Sequence, residues 1–267
     1  MMREKVFGLA AMVVVVISFA NMALAGRPLN TNDTEPVETG VWQVEASAAY
    51  QHDSGCDHFD FPFTLATGIF SGFDIGVGLG GRFEERTEVV DGTECRESES
   101  GLGDLAVSPR WKYFDQARFL PSQAVSFTVK FPTADREKGL GSGETDYDLT
   151  WIATERINEK VQVDANLGFS WIGKPEDENA SDLFHHGLAL EVQLLESVQW
   201  VGEVFGEKEL TSGGETVWLY SSGFRWAALP NLTLDAAAGS GSSGEAPDLM
   251  ATAGLTWTFG PEKDESN

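Results

Sequence analysis

Cysteine is almost missing from this chain: two residues in 267, Cys56 and Cys95, which excludes a disulfide-built scaffold and a thiolate metal cluster. Positive charge is scarce as well. The 18 Lys and Arg residues against 42 Asp and Glu give a formal charge of -24, and a chain this acidic is excluded as a nucleic-acid partner, because cations carry affinity for a phosphate backbone. Beyond residue 20 no apolar run is long enough for a transmembrane helix. No window repeats apolar residues at the helical period, so a helical bundle is excluded too.

What is present is alternation. From Val161 to Trp171 the chain reads Val-Gln-Val-Asp-Ala-Asn-Leu-Gly-Phe-Ser-Trp, apolar at every odd number and polar or small at every even one. This predicts a strand with one apolar and one wet face, and roughly eleven residues is the length a tilted strand needs to cross a bilayer core. Similar stretches recur from Val41 to Phe259 and predict about 12 strands in an all-β, closed antiparallel transmembrane β-barrel.

The ends of the chain read differently. Arg3 and Lys5 precede an apolar run from Val6 to Ala20, and Ala23-Leu24-Ala25 is a small-x-small site. Residues 1–25 are therefore expected to be a signal peptide cleaved after Ala25, which directs the chain out of the cytoplasm. Residues 26–40, polar and with Pro28 and Pro36, are expected to be an extended periplasmic lead-in. Residues 41–259 form the barrel, and 260–267 a polar C-terminal tail.

The connections between the expected strands take turns. Ser71-Gly72, 115–122, 157–160, Glu196-Ser197 and 227–230 are short, whereas 51–58, 84–103, 132–146, 172–182, 208–215 and 240–247 are longer, acidic and rich in Gly and Ser. Strict alternation sends all long loops to one rim and all short turns, with both termini, to the other, as in outer-membrane barrels. A soluble β-sandwich or lipocalin-like barrel would alternate in the same way. The aromatics favour the membrane: Trp42 and Tyr50 bracket the first strand and Phe73 and Phe83 the third, with smaller apolar residues such as Val44, Ala46, Val77 and Leu188 between.

The opposite face is expected to line the lumen. Its basic residues Arg82, Arg110, Lys112 and Lys130 cluster early in the chain, and its acidic residues Asp148, Asp164, Glu191 and Glu203 follow later. Closing the barrel would set the two groups against each other, either as a transverse field in an aqueous pore or as salt bridges that plug it. Gly76, Gly78 and Gly80 leave space on that face, and Pro62 on the second strand suggests a bulge. Cys56 and Cys95 fall in long loops at the same rim, where an oxidising compartment favours a disulfide between them.

Several strings that mimic chemistry are structural. Gly76-x-Gly78-x-x-Gly81 matches a dinucleotide fingerprint but has no helix after it to hold a pyrophosphate. His185 and His186 point to opposite faces of a strand and do not share a metal. His186 is the lipid-face candidate for hydrolysis, but Ser170 is expected inward and Ser181 in a loop, so no triad assembles. The chain is read as a non-enzyme without cofactor or metal.

The blocks Gly101-Leu-Gly-Asp-Leu-Ala-Val-Ser-Pro-Arg-Trp-Lys-Tyr-Phe114, Val129-Lys-Phe-Pro-Thr-Ala-Asp135 and Gly139-Leu-Gly-Ser-Gly143 resemble the outer-membrane β-barrel family of putative phenol meta-pathway degradation proteins, which is transporter-like. Residues 36–45 and Asn166-Leu-Gly-Phe169 are similar to that family as well. Gly254-Leu-Thr-Trp257-Thr-Phe259 is similar to the terminal signal read by the barrel-assembly machinery. The resemblance implies an outer-membrane channel for passive uptake of aromatic, hydrophobic or other small solutes, with the lipid bilayer, the assembly machinery and a small-molecule solute as partners. The alternative is a closed structural or adhesive surface barrel with acidic outer loops.

Overall fold

The computed structural model describes residues 26–53, 56–90, 93–138, 140–174, 180–211, 214–243 and 246–260. Within the strands, the side chains of Cys56, Glu84, 86–90 and 93–97 lie outside that description. So do residues 1–25, where the signal peptide is expected, and 261–267.

The strands in chain order are β1 (Trp42–Asp53), β2 (Cys56–Phe70), β3 (Phe73–Val90), β4 (Thr93–Leu102), β5 (Leu105–Phe114), β6 (Ser122–Phe131), β7 (Asp146–Asn158), β8 (Val161–Trp171), β9 (Leu183–Leu195), β10 (Val198–Glu209), β11 (Thr216–Leu229), β12 (Leu232–Ser242) and β13 (Leu249–Phe259). All pairings between them are antiparallel. β13 pairs with β1 and β2 with β3, so the sheet closes on itself. The closed wall has twelve strand positions. β4 and β5 share one of them: β3 pairs with β5 over Phe73–Gly78 and with β4 over Gly81–Val90. Gly103 bridges the break, its N–H donating to the Gly80 carbonyl at 2.7 Å.

The pleat decides which face is which. On β8 the inward Asp164, Asn166 and Ser170 are 1–2% exposed, whereas the outward Leu167 and Trp171 are 48% and 43% exposed. Apolar bulk therefore covers the outside of the barrel, the inverse of a soluble core. Outward aromatics form two belts. Trp42, Phe73, Trp111, Trp200, Trp226 and Trp257 lie near the rim of short turns, and Tyr50, Phe59, Tyr147, Trp171, Phe184 and Trp218 near the rim of loops.

Three sequence expectations change. Residues 51–58 and 84–103 are not long loops: β1 and β2 stay paired to Asp53 and Cys56, and β3 and β4 to Val90 and Thr93. Above the level of a bilayer a strand needs no apolar face, so alternation fades while backbone pairing continues. Pro62 does not create a bulge. The β1–β2 register is the same on both sides of it, and only the rungs between Ala46–Phe63 and Ala49–Asp60 are missing, because proline has no N–H to donate. The largest change is at the start of the chain, where residues 26–40 run inside the barrel.

Candidate functional site: the lumen and its inner segment

The inner segment is built from residues that composition alone assigns to a linker. Starting from the turn rim, Val37 packs on Ala66 of β2, and its N–H donates to the Asp74 carboxylate on β3 at 2.7 Å. The Asp33 carbonyl accepts from Arg110 on β5 at 3.5 Å. Thr34 meets Ser122 on β6 and Thr154 on β7, and Asn32 exchanges two hydrogen bonds with Asn166 on β8. Leu29 packs between Ala189 on β9 and Val201 on β10. Arg225 on β11 donates to the Gly26 and Arg27 carbonyls. Arg27 reaches Asp235 on β12, Thr252 on β13 and Ser47 on β1. The segment thus touches every strand position of the wall.

Glu203 on β10 is its firmest anchor. Its carboxylate accepts the Thr31 N–H at 2.8 Å, the Asn30 N–H at 3.0 Å, the Asn30 side-chain amide at 2.9 Å and the Ser221 hydroxyl at 3.0 Å. A hydrogen bond to a carboxylate contributes about 1.5–3 kcal/mol, and Glu203 gathers four donors from the segment and the wall. Gly254 shows the same fit from the other side: a Cβ there would meet the Arg27 guanidinium and the Ala46 carbonyl of β1.

The two charge clusters are inward, but the barrel does not set them against each other. The basic residues pair with their own neighbourhood: Arg82 with Asp60 at 2.7 Å, Arg110 with Asp74 at 2.6 Å, and Lys130 with Asp104 and Asp146 at 3.0 and 2.5 Å. Lys112 lies between Glu35 of the segment and Asp115 of the adjoining turn, both at 2.9 Å. It holds the exposed Asp115 carboxyl below the ordinary carboxylate range through their hydrogen bond. Among the acidic residues, only Glu191 has an arginine, Arg225 at 2.6 Å. Asp164 accepts from Thr154 at 2.6 Å and Gln162 at 3.1 Å, and Asp148 from Thr150, Ser170 and His185, each at 2.7 Å.

That last cluster answers the question of an esterase-like triad. Ser170 and His185 both bond to Asp148, so the carboxylate stands between them and the hydroxyl has no imidazole to take its proton. His186 faces outward, stacked on Phe184 at 5.6 Å and edge-on to Trp218 at 5.0 Å. Cys56 and Cys95 have side chains outside the described residues. Their backbones stand opposite Arg86 and Glu88 on the two flanks of β3.

The segment divides the lumen. On the loop side lies a space of about 830 Å³, part of it open to solvent, with Pro28, Leu29, Pro62, Leu219, Ala237 and Met250 among its walls. On the turn side a space of about 960 Å³ is lined by Asp33, Glu35, Glu38, Glu45 and Arg110. Gly76 and Gly78 of β3 face the interior and are buried, Gly76 opposite the Ala66 on which Val37 packs. Missed by sequence reasoning were Arg27, Asn30, Thr31, Asn32 and Thr34, residue types that a solvated linker also carries.

Solved barrels share this architecture. The COG4313 outer membrane channel from Pseudomonas putida F1 aligns over 85% of this chain and 98% of its own, with 13% identity and a TM-score of 0.68. The KdgM porin, solved with disordered oligogalacturonate, aligns over 81% and 99% with 9% identity and a TM-score of 0.56. The translocator domain of the autotransporter NalP from Neisseria meningitidis aligns over 85% and 91% with 12% identity and a TM-score of 0.54. At these identities the likeness is one of fold. No curated protein matches the sequence. The profile of one family matches residues 25–259, inner segment included, and the chain belongs to that family, described as "Putative MetA-pathway of phenol degradation".

Proposed function

We propose that the protein is an outer-membrane channel for passive uptake of small aromatic or hydrophobic solutes, closed at rest by its own residues 26–40. The observation that carries this reading is the polar segment lying across the lumen between two cavities, one of largely apolar lining open towards the loops. Family membership and the fold shared with outer-membrane channels support transport rather than chemistry, and the Ser170–Asp148–His185 order supports no hydrolase. Solutes enter the apolar space, and passage requires the segment to move. The leader is removed after Ala25 by the export machinery, and β13, with Gly254, Trp257 and Phe259, is the strand read during assembly.

The occupied lumen also favours a second reading, a permanently closed surface barrel whose acidic loops do the work. Planar-bilayer conductance and vesicle uptake of a small aromatic, for the mature protein and for a variant lacking Gly26–Gly40, separate the two. Stable conductance steps and uptake that grow on deletion support the gated channel. A deletion variant that inserts and stays closed to ions and solute refutes it.

A further inference from the structure

On β10 the inward column Val201, Glu203, Phe205 ends at the loop rim with Glu207, which is 7% exposed. Among the described residues Glu207 has no hydrogen bond and no ion pair. The charged groups close enough to act on it are two more carboxylates, Asp148 of β7 and Glu209 of β10. A carboxylate taken out of water costs several kcal/mol unless a cation or donors meet it. Such a position calls for positive charge.

His185 stands directly across the β9–β10 ladder, and its ring is fixed from three sides. Cε1 and Nε2 lie over Gly168 of β8, where a Cβ would collide with both. One face stacks on Phe205 at 5.9 Å between centroids. Nε2 is 2.7 Å from Asp148 Oδ2, which also accepts the Ser170 hydroxyl. An ionised carboxylate only accepts, so the proton of the neutral imidazole is on Nε2 and Nδ1 is left as a bare lone pair. That nitrogen is buried without a partner. Opposite residues of an antiparallel pair have Cβ atoms about 4.5–5.5 Å apart on one face. An imidazole nitrogen and a carboxylate, both acceptors, thus share one patch of the inner wall with no donor between them.

We infer that His185 and Glu207 form a site for a divalent transition-metal ion at the mouth of the barrel, with Asp148 orienting the imidazole. The donor set decides the class of ion: imidazole nitrogen with carboxylate oxygen suits Zn²⁺ and its neighbours, whereas Ca²⁺ and Mg²⁺ take oxygen ligands. The hydrogen bond from His185 to Asp148 is the arrangement that fixes the tautomer of a metal-binding ring and raises its basicity. Among the described residues no three His, Cys, Asp or Glu side chains are gathered as a complete metal shell. The ion therefore keeps water in its remaining positions and exchanges with the medium. The site borders neither cavity, so it stands apart from the channel reading.

Titration of Zn²⁺ against a chromophoric chelator tests this on the refolded chain lacking residues 1–25, with excess Mg²⁺ present to occupy the acidic loops. The proteins are the wild type, His185→Gln, Glu207→Gln, Glu207→His, Asp148→Asn and the outward control His186→Gln. The wild type and His186→Gln are expected to bind one equivalent that Mg²⁺ does not displace. His185→Gln and Glu207→Gln should each weaken it about tenfold or more and Asp148→Asn about 10–100-fold, whereas Glu207→His supplies another ligand at the same place and binds again. Unchanged affinity in His185→Gln or in Glu207→Gln overturns the site, as does Zn²⁺ that Mg²⁺ displaces from the wild type. A wild type that binds no Zn²⁺ overturns it too and makes Glu207 a buried protonated acid. Where His185→Gln fails to fold, the Glu207→Gln and Glu207→His pair carries the test, because histidine does not rescue a carboxylate whose role is only structural.

Discussion

Replacing Glu203 by glutamine tests whether the inner segment is a gate held by hydrogen bonds. The change keeps the side chain's size and one acceptor oxygen, but turns the other oxygen into an NH₂ group and removes the charge. In the native barrel both carboxylate oxygens face donors: Thr31 N–H and Asn30 N–H on one, Asn30 amide and Ser221 hydroxyl on the other. Whichever way its amide is turned, glutamine loses at least one of these donors outright and weakens the rest. At about 1.5–3 kcal/mol for each charged hydrogen bond, the docked state loses about 3 kcal/mol. Since each 1.4 kcal/mol is a factor of ten, the undocked population rises about a hundredfold. Single-channel recording of the refolded mature protein should show longer and more frequent openings, with Asp60→Asn as a wall-only comparison. If Glu203→Gln keeps the wild-type open probability while deletion of residues 26–40 opens the pore, Glu203 is not the latch.

Arg110→Met strands the fully buried Asp74 carboxylate and should cost about 3–5 kcal/mol, read as an earlier unfolding midpoint in detergent; adding Asp74→Asn should restore much of it. Leu188 is outward and 57% exposed, so Leu188→Arg should lower folding yield into lipid vesicles, at about 2–4 kcal/mol for a midplane arginine, whereas a water-facing site would tolerate it. The cysteine bridge expected from their common rim conflicts with the backbone register: β3 separates β2 from β4, which sets the α-carbons at least about 9.5 Å apart, beyond the roughly 7 Å limit for a disulfide. Alkylation of the native protein without reductant should therefore label both thiols; a mass two hydrogens short and no labelling would mean the register gives way at that rim.

The wall was legible because a bilayer enforces it. Val161 to Trp171 has the same bounds in sequence and structure, since lipid on one side and a polar lumen on the other punish any slip of register. Where that pressure ends, so does the signal: β3 continues to Val90 through a Glu-rich stretch that looks like loop, held by backbone pairing that side-chain pattern does not report. The local ion pairs were within reach once register was known, as Asp60 stands opposite Arg82 and Asp74 opposite Arg110. The inner segment was not, because Asn30 to Thr34 reads the same whether water or a barrel satisfies it. Its partners are scattered from Ser47 to Thr252, and no window of sequence holds both halves of such a match.

That division of partners also fixes what kind of pore is left when the segment leaves. The basic residues of the wall keep their wall partners: Arg82 keeps Asp60, Arg110 keeps Asp74, Lys130 keeps Asp104 and Asp146, and Arg225 keeps Glu191. Lys112 loses Glu35 but retains Asp115, and Arg156 at the turn end of β7 loses Glu35 and keeps only the neutral Gln162. The acidic residues fare differently, because Glu203 loses the Asn30 and Thr31 donors and Asp235 loses Arg27, while Asp164 never had a cation. Removing residues 26–40 thus frees the carboxylates of the lumen and one guanidinium, the exposed Arg156 at the turn rim, so the interior of the open lumen carries uncompensated negative charge along β8, β10 and β12. A charged constriction of one sign admits counter-ions and repels co-ions. The deletion variant should therefore be cation-selective in a salt gradient, with a reversal potential that collapses towards zero in Glu203→Gln, Asp235→Asn. Anion selectivity would mean that the wall pairs rearrange when the segment departs, and that the segment orders the lumen charges rather than merely covering them.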